Sequence, residues 1–290
     1  MISIICPVHN GLSCIKKYMK YLIASINFSG HKDDIKIIFV DDGSTDGTAD
    51  WFKDNYPNIV VLKGDGNLWW SGAVNVGVKY ALNNYSCDYI LLWNHDTKPA
   101  VNYFKELYII IKSLKNNIIV LSKIYYLDRP NVIFNMGCLF DKRKGMKKLT
   151  GFNQVDSEKY HNIVDADWSG GMGTLIPSSV FRKIGFFDNK NFPQYHGDSD
   201  FTLRAGESGF KLLAFPMLKI WNDESNTGKL HNGSFVQLIK TLFDIKSPQN
   251  VIIEFKFYKR HCNSLWAYMN IMKRMFYYVG GYFKHKIIKQ

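Results

Sequence analysis

Acidic residues are in short supply in this sequence. The 25 Asp and Glu stand against 37 Lys and Arg, leaving a formal net charge of +12 on 290 residues. That balance favours phosphate-bearing ligands, acidic head groups and polyanions without choosing among them. Cysteine is sparse too. The five present (Cys6, Cys14, Cys87, Cys138, Cys262) are odd in number and form no Cys-x-x-Cys pair, which argues against a disulfide framework or a zinc ribbon and fits a reducing compartment. No uncharged apolar run reaches the ~18 residues that a membrane-spanning helix needs. The opening Met-Ile-Ser-Ile-Ile-Cys-Pro lacks a basic stretch followed by an apolar leader core, so the expected location is cytoplasmic. There is no Gly-Lys-Ser/Thr phosphate loop, and Gly64-x-Gly66 runs on to Trp69 without a third glycine, which fails the dinucleotide fingerprint. Internal repeats and low-complexity linkers are missing as well.

What is present is the composition of a folded chain, with 46% hydrophobic and 21% charged residues; disordered, collagen-like and heptad-repeat classes are ruled out. The length allows one large α/β domain or two smaller ones. Ile2 to Val8 reads as a buried strand. From Leu12 the apolar positions Ile15, Tyr18, Met19, Leu22, Ile23 and Ile26 take helical spacing. The alternation continues with a strand over 35–40, a helix over 48–55, a strand over 59–62, a helix that Ser71 can cap, and a strand over 89–93. Strands separated by helices predict right-handed crossovers and a largely parallel sheet. In such sheets ligands bind beyond the carboxyl ends of the strands, where His9, Asn10, Asp41, Asp42 and Asn94 to Asp96 fall.

Three carboxylate groups stand out. Asp41-Asp42-Gly43-Ser44-Thr45-Asp46-Gly47 follows a strand directly, so its acids can accept hydrogen bonds from a base or a ribose; equally, these residue types make the turn and cap the next helix. Asn94-His95-Asp96 can hold a hard divalent cation that takes its other ligands from a diphosphate, or it is an Asx turn ending the strand. In His196-Gly197-Asp198-Ser199-Asp200, one acid can act as a general base, or both simply favour a helix start. Asp65-Gly66-Asn67-Leu68-Trp69-Trp70-Ser71-Gly72 places two indoles in a loop, as a stacking wall for a sugar or base or as core.

Taken in order, these segments resemble the family 2 glycosyltransferases of GT-A type, nearest to rhamnosyltransferase-like enzymes of bacterial surface polysaccharide assembly. The resemblance covers residues 1 to about 234. Cys6-Pro7-Val8-His9-Asn10 is similar to the family's Pro-Val-Tyr-Asn opening, with His9 at the aromatic position, and Val40-Asp41-Asp42-Gly43-Ser44 matches its nucleotide-binding signature. Asn67 to Gly77 resembles the family's Asn-rich segment, and Asn94-His95-Asp96-Thr97 a variant of the metal-binding Asp-x-Asp motif with Asn94 in place of the first acid. Ser169-Gly170-Gly171-Met172-Gly173 looks like the acceptor-side glycine-rich strand. His196-Gly197-Asp198-Ser199-Asp200 takes the place of Glu-Asp-x-Asp, with Gly197 where Glu is usual.

The resemblance implies a Rossmann-like, mostly parallel α/β sheet with helices on both faces and a C-terminal helical extension. It implies a catalytic domain over 1–234, divided into a nucleotide-sugar half (1–97) and an acceptor half (98–234), with 235–290 as the basic aromatic extension. The implied activity is inverting transfer from a nucleotide-diphosphate sugar, dTDP-rhamnose or a UDP-sugar, to a saccharide or lipid-linked acceptor in O-antigen or capsule assembly. Asp198 is then the catalytic base. Pro7, His9, Asn10, Asp41, Asp42, Ser44, Asn67, Trp69, Trp70, Asn75, Asn94 and His95 bind the donor; Asp96 and His231 bind Mn2+ or Mg2+; Gly170, Gly171, Met172 and Asp200 meet the acceptor.

Residues 253–290 carry eight basic groups against Glu254 alone. Leu265, Tyr268, Met269, Met272, Phe276 and Val279 share one helical face, which reads as an amphipathic helix for an anionic bilayer on the cytoplasmic side of the inner membrane, or as a surface packed on the catalytic domain or on a second copy. Rival classes are a nucleotidyltransferase, which Asn10-Gly11-Leu12-Ser13 does not fit for want of a basic glycine-rich loop, a catalytically silent nucleotide-sugar-binding relative, and a basic nucleic-acid-binding protein. No RNA-binding aromatic motif appears, so nucleic acid is not the expected partner.

Overall fold

The computed structural model describes residues 1–115, 117–223 and 235–288. Its first part alternates as the sequence pattern predicts: β1 (Ile2–Val8), α1 (Leu12–Ser29), β2 (Ile35–Asp41), α2 (Thr48–Asn55), β3 (Val60–Lys63), α3 (Trp69–Asn84) and β4 (Tyr89–Leu92). Then follow β5 (Thr97–Pro99), α4 (Tyr103–Ser113), β6 (Ile118–Tyr126), β7 (Val132–Asn135), β8 (Cys138–Asp141), β9 (Met146–Leu149), β10 (Gln154–Val155), β11 (Val164–Ala166), β12 (Thr174–Pro177), α5 (Ser178–Ile184), α6 (Gly197–Glu207) and β13 (Lys211–Asn222). Three helices close the chain: α7 (Phe235–Phe243), α8 (Val251–His261) and α9 (Leu265–Ile288).

Four parallel strands in the order β3-β2-β1-β4 form one half of the main sheet, and β12 joins antiparallel between β4 and β6. Side chains of a strand alternate between faces, and this splits the interior in two. Ile2, Ile4, Cys6 and Val8 of β1 pack with α1 and α4 residues such as Ile15, Met19 and Phe104, whereas Ile5 packs with Ala73, Val74 and Val78 of α3 and with Phe201 of α6. The expected architecture of helices on both sheet faces is therefore what the chain adopts.

Register decides what meets at the edge. Val8 lies opposite Asp41, Asp41 opposite Lys63, and Ile5 opposite Leu92, so the carboxyl ends of β1 to β4 share one edge. Because β12 runs the other way, its first residue Thr174 pairs with Leu92, and the glycine-rich loop before it arrives at that same edge. Asn222, the last residue of β13, pairs with Thr97 and brings the chain's next residue, Asp223, beside Asp96.

Two local expectations change. Ser71 does not cap α3, which begins two residues earlier; its hydroxyl donates to the Phe192 carbonyl at 2.6 Å, and the Trp69 N–H goes to Asp42. The C-terminal helix does meet the body, and of the stripe read from the sequence Tyr268 packs there while most of the rest faces out. Ala267 and Ile271 are buried with Phe140, Phe192, Leu203 and Phe257 in a third core cluster, while Leu265, Met269, Met272 and Phe276 are 52–77% exposed. The expected boundary at 234 lies outside the described residues.

Candidate active site

The loop after β2 is built by its own acids. Asp41 Oδ1 accepts from the Ser44 N–H at 2.9 Å; Asp42 accepts from the Gly66 N–H at 2.8 Å and the Trp69 N–H at 3.0 Å. Both side chains are nearly buried, 5% and 6% exposed. These carboxylates hold the β2–α2 and β3–α3 loops together, the capping alternative that the sequence left open. Asp46 does the same for α1 and α2. Burial pushes its carboxyl up, but hydrogen bonds from Thr48 and from the Leu12 N–H outweigh this and hold it below the ordinary range.

The open side of this loop pair belongs to other residues. His9 and Asn10 are exposed, with His9 Nδ1 on the Asp42 carbonyl at 2.7 Å, so that Nδ1 carries the proton. Asn10 takes a positive φ of 51°, donates its N–H to Ser44 Oγ and accepts from the Thr45 N–H. Asn67 is exposed, and Pro7 is half-buried in β1 opposite Val40. Asn94 is half-buried at the end of β4, and the His95 ring leans on the β1–α1 loop: a Cβ at Gly11 would stand 2.8 Å from His95 Cδ2.

Asp96 has a different environment. Burial raises its carboxyl above the ordinary range, the Asp223 charge adds to this, and Oδ1 is buried with no hydrogen-bond partner. An orphaned buried carboxylate oxygen costs free energy unless a cation or proton meets it, so the residue fits a metal ligand. Asp223, which the sequence reading missed, donates its N–H to the Asp96 carbonyl at 3.2 Å and accepts from Lys17 and Tyr18. The signal available was an acid closing a long apolar strand. No group of three or more His, Cys, Asp or Glu able to hold an ion occurs among the described residues, and His231 lies outside them.

The two tryptophans divide. Trp69 is half-buried with a positive φ of 56°, uncommon for a bulky residue, and Lys246 stands over its ring at 5.7 Å. The Trp70 indole lies against Gly171, where any Cβ would collide with it, and meets Phe187 edge-on at 5.6 Å. Gly171 in turn donates its N–H to Asp198 Oδ2 at 3.2 Å, while Asp198 Oδ1 takes the Ser199 N–H at 2.7 Å. A contact chain thus runs from His9 through Asp42, Trp69, Trp70 and Gly171 to the half-buried Asp198. Gly170 flanks the same carboxylate. Gly197 has a steric reason for lacking a side chain, since a Cβ there would run into Ser71 Oγ and the Phe192 carbonyl.

Two expected site residues, Asn75 and Asp200, are buried in the fold, and Met172 is half-buried. Asn75 is 7% exposed and turns both ends of its amide to the Phe187 backbone, at 2.8 and 3.0 Å. Met172 packs on the core. Asp200 is fully buried, with Arg204 Nε at 2.9 Å, Arg260 Nη1 at 2.8 Å and His261 Nε2 at 2.9 Å. Burial raises its carboxyl, but these partners outweigh it and hold it below the ordinary range. No oxygen is left for an acceptor. Arg260 and His261, sixty residues on, carried no sequence signal for this pairing.

Comparison with known proteins gives the family and the fold. The profile described as Glycosyl transferase family 2 matches residues 3–167. The low-salt glycan biosynthesis hexosyltransferase Agl10 of Haloferax volcanii is 28% identical over 175 residues, 59% of this chain and 53% of that protein. The probable glycosyltransferase YdaM of Bacillus subtilis is 24% identical over 246 residues, 79% of this chain and 52% of that one. The chain thus spans about half the length of these relatives. Among solved structures, GalNAc-T7 with UDP, GalNAc and Mn2+ has a TM-score of 0.58 at 15% identity, covering 95% of this chain and 57% of that one. TarS 1–349 of S. aureus with UDP-GlcNAc has a TM-score of 0.57 at 15% identity, covering 90% and 72%. On the profile match over more than half its length and the GT-A arrangement of its sheet, the chain belongs to glycosyl transferase family 2.

Proposed function

We propose that this protein transfers a sugar from a nucleoside-diphosphate donor to a saccharide acceptor with inversion at the anomeric carbon. The observation that supports this most is Asp198 Oδ2 at 3.2 Å from the Gly171 N–H, beside Trp70 and on the sheet edge that also carries Asp42 and Asp96. Asp198 takes the proton of the acceptor hydroxyl as that oxygen attacks from the face opposite the leaving diphosphate. A single displacement with one base inverts, and general-base assistance contributes about 10²–10⁴ in rate. His9, Asn10, Ser44 and Asn67 line the nucleotide side, with Asp41 and Asp42 shaping it from beneath. Asp96, beside the Asp223 charge, would hold a Mn2+ or Mg2+ ion, which would supply positive charge to the diphosphate.

The two neighbours solved with uridine nucleotides favour a UDP-sugar over dTDP-rhamnose as donor. We place the acceptor on a lipid at an anionic membrane surface, in surface-polysaccharide assembly. Among the described residues no helix is long and apolar enough to cross a membrane. Helix α9 has no Asp or Glu and presents Leu265, Met269, Met272 and Phe276 outward, which supports peripheral contact. Its lack of acids disfavours pairing with the same helix of a second copy.

The test is a panel of nucleotide sugars with and without Mn2+ or Mg2+, reading nucleoside-diphosphate release. Asp198→Asn is expected to abolish transfer with nucleotide binding intact, and Asp96→Ala to weaken metal-dependent donor binding. Near-normal turnover by the Asp198 variant removes it from the base role; an unchanged metal titration removes Asp96 from the metal.

A further inference from the structure

We infer that α8 positions the base helix, with Glu254 and His196 as positioning residues for Asp198; this rests on the reading of Asp198 as the base. His196 immediately precedes α6 and has a φ of +66°. A non-glycine residue in this region is strained and persists only where its surroundings hold it. The surroundings here are specific. Lys147 of β9 reaches His196 Nδ1 at 2.7 Å, Glu254 of α8 meets Nε2 at 2.9 Å, and Phe257 stacks on the ring at 4.6 Å with planes 26° apart.

The proton positions follow from the partners. An ammonium can only donate, so Nδ1 accepts from Lys147, and Nε2 carries the hydrogen that goes to Glu254. Arg274 of α9 closes the chain on the other carboxylate oxygen at 2.7 Å and also donates to the Tyr258 hydroxyl. Lys147 additionally donates to Ser199 Oγ at 3.3 Å, next to Asp198. Every polar atom of the imidazole is committed, and its orientation is set by residues 49 and 58 positions away in the chain.

The same helix grips α6 on the far side of the base. Arg260 and His261 hold Asp200, two residues after Asp198, just as Glu254 holds His196 two residues before it. Asp198 is thus clamped on both flanks by α8 while its own carboxylate meets only the backbone N–H groups of Gly171 and Ser199. The steric exclusion of any side chain at Gly197 leaves the intervening position unable to contribute. Glu254 was already visible as the lone acid of a strongly basic segment, and this contact gives it a purpose.

The experiment compares Glu254→Ala, Glu254→Gln and His196→Asn with Asp198→Asn in the full-length protein. Asn tolerates the left-handed backbone, so His196→Asn removes the ring without straining the turn. Each reading takes kcat, donor KM, UDP affinity by calorimetry and thermal midpoint. Misplacing a reacting group by about 1 Å costs about 10²-fold in rate, so Glu254→Ala and His196→Asn are expected to lose about 10- to 100-fold in kcat with donor KM and UDP affinity within about twofold. Glu254→Gln, which keeps an acceptor for Nε2, is expected to recover most of the loss. If Asp198→Asn is inactive and the Glu254→Ala and His196→Asn variants keep kcat within twofold, or if kcat falls only together with UDP affinity and the thermal midpoint, the positioning role is overturned and the base stands. Turnover by Asp198→Asn overturns both.

Discussion

The two flanks of the candidate site are stabilised by different chemistry. On the side of β1 to β4, every acid of the Asp41–Asp46 loop is satisfied by backbone N–H groups and neighbouring hydroxyls from adjacent loops. On the side of α6, Asp200 and Glu254 are satisfied by guanidinium and imidazole groups from α8, α9 and α6 itself. The first arrangement closes on itself once the strands are in register. The second exists only when a segment more than fifty residues away has docked, so the geometry around Asp198 depends on how α8 packs on α6.

That contrast can be broken most severely at Asp200. Asp200→Asn leaves Arg204, Arg260 and His261 facing each other in a buried site, and removing one partner of such a cluster costs about 3–5 kcal/mol; urea unfolding measures it. A loss under about 1 kcal/mol would show that the flank does not depend on the cluster. At Asp42 the expected loss is smaller. Asp42→Asn turns an amide N–H2 toward one of two backbone donors and leaves it unsatisfied, worth about 1–3 kcal/mol, and the effect should be confined to local opening of the β3–α3 loop in hydrogen exchange.

Acid sharpens the difference. Asp200 and Glu254 both titrate below their ordinary values in the fold, Glu254 near about 2 despite its burial because His196, Arg274 and Lys147 stabilise its charge. The unfolded chain takes up these protons near pH ~4. Their contribution to stability is therefore whole above that pH and is lost as pH falls through the folded values. Urea midpoints from pH 6 to 3 are expected to fall more steeply for the wild type than for Asp200→Asn; equal slopes would remove the carboxyl from the acid transition. The smallest effect is expected on the outer stripe of α9. Met272→Glu lies 52% exposed and should change stability by no more than about 0.5 kcal/mol while weakening adsorption to anionic vesicles; undiminished adsorption would exclude the stripe as the lipid contact.

The sequence pattern located β1 and α2 to the residue and the other strands of the parallel half within one or two, because period-two and helical spacing there follow directly from burying one or both faces of each element. It also located the loops that carry Asp42 and Asp96 and the helix start that carries Asp198. It did not show that Asn75 and Asp200 are buried, because a polar residue near a motif looks the same whether it faces a ligand or the protein's own groups. Ser71 failed for a related reason: the first N–H of the helix, that of Trp69, is taken by Asp42, 27 residues before Trp69.

By itself, then, the order of residues determined the alternating α/β frame and which acids fall at strand ends, since both depend on local periodicity and on turn chemistry within a few residues. Tertiary structure alone decided which of those acids remain available. Asp96 keeps a buried Oδ1 without a partner and the half-buried Asp198 meets only backbone N–H groups, while Asp200 is consumed by Arg204, Arg260 and His261. Availability is a property of desolvation and of partners brought from distant positions, and no local pattern encodes it.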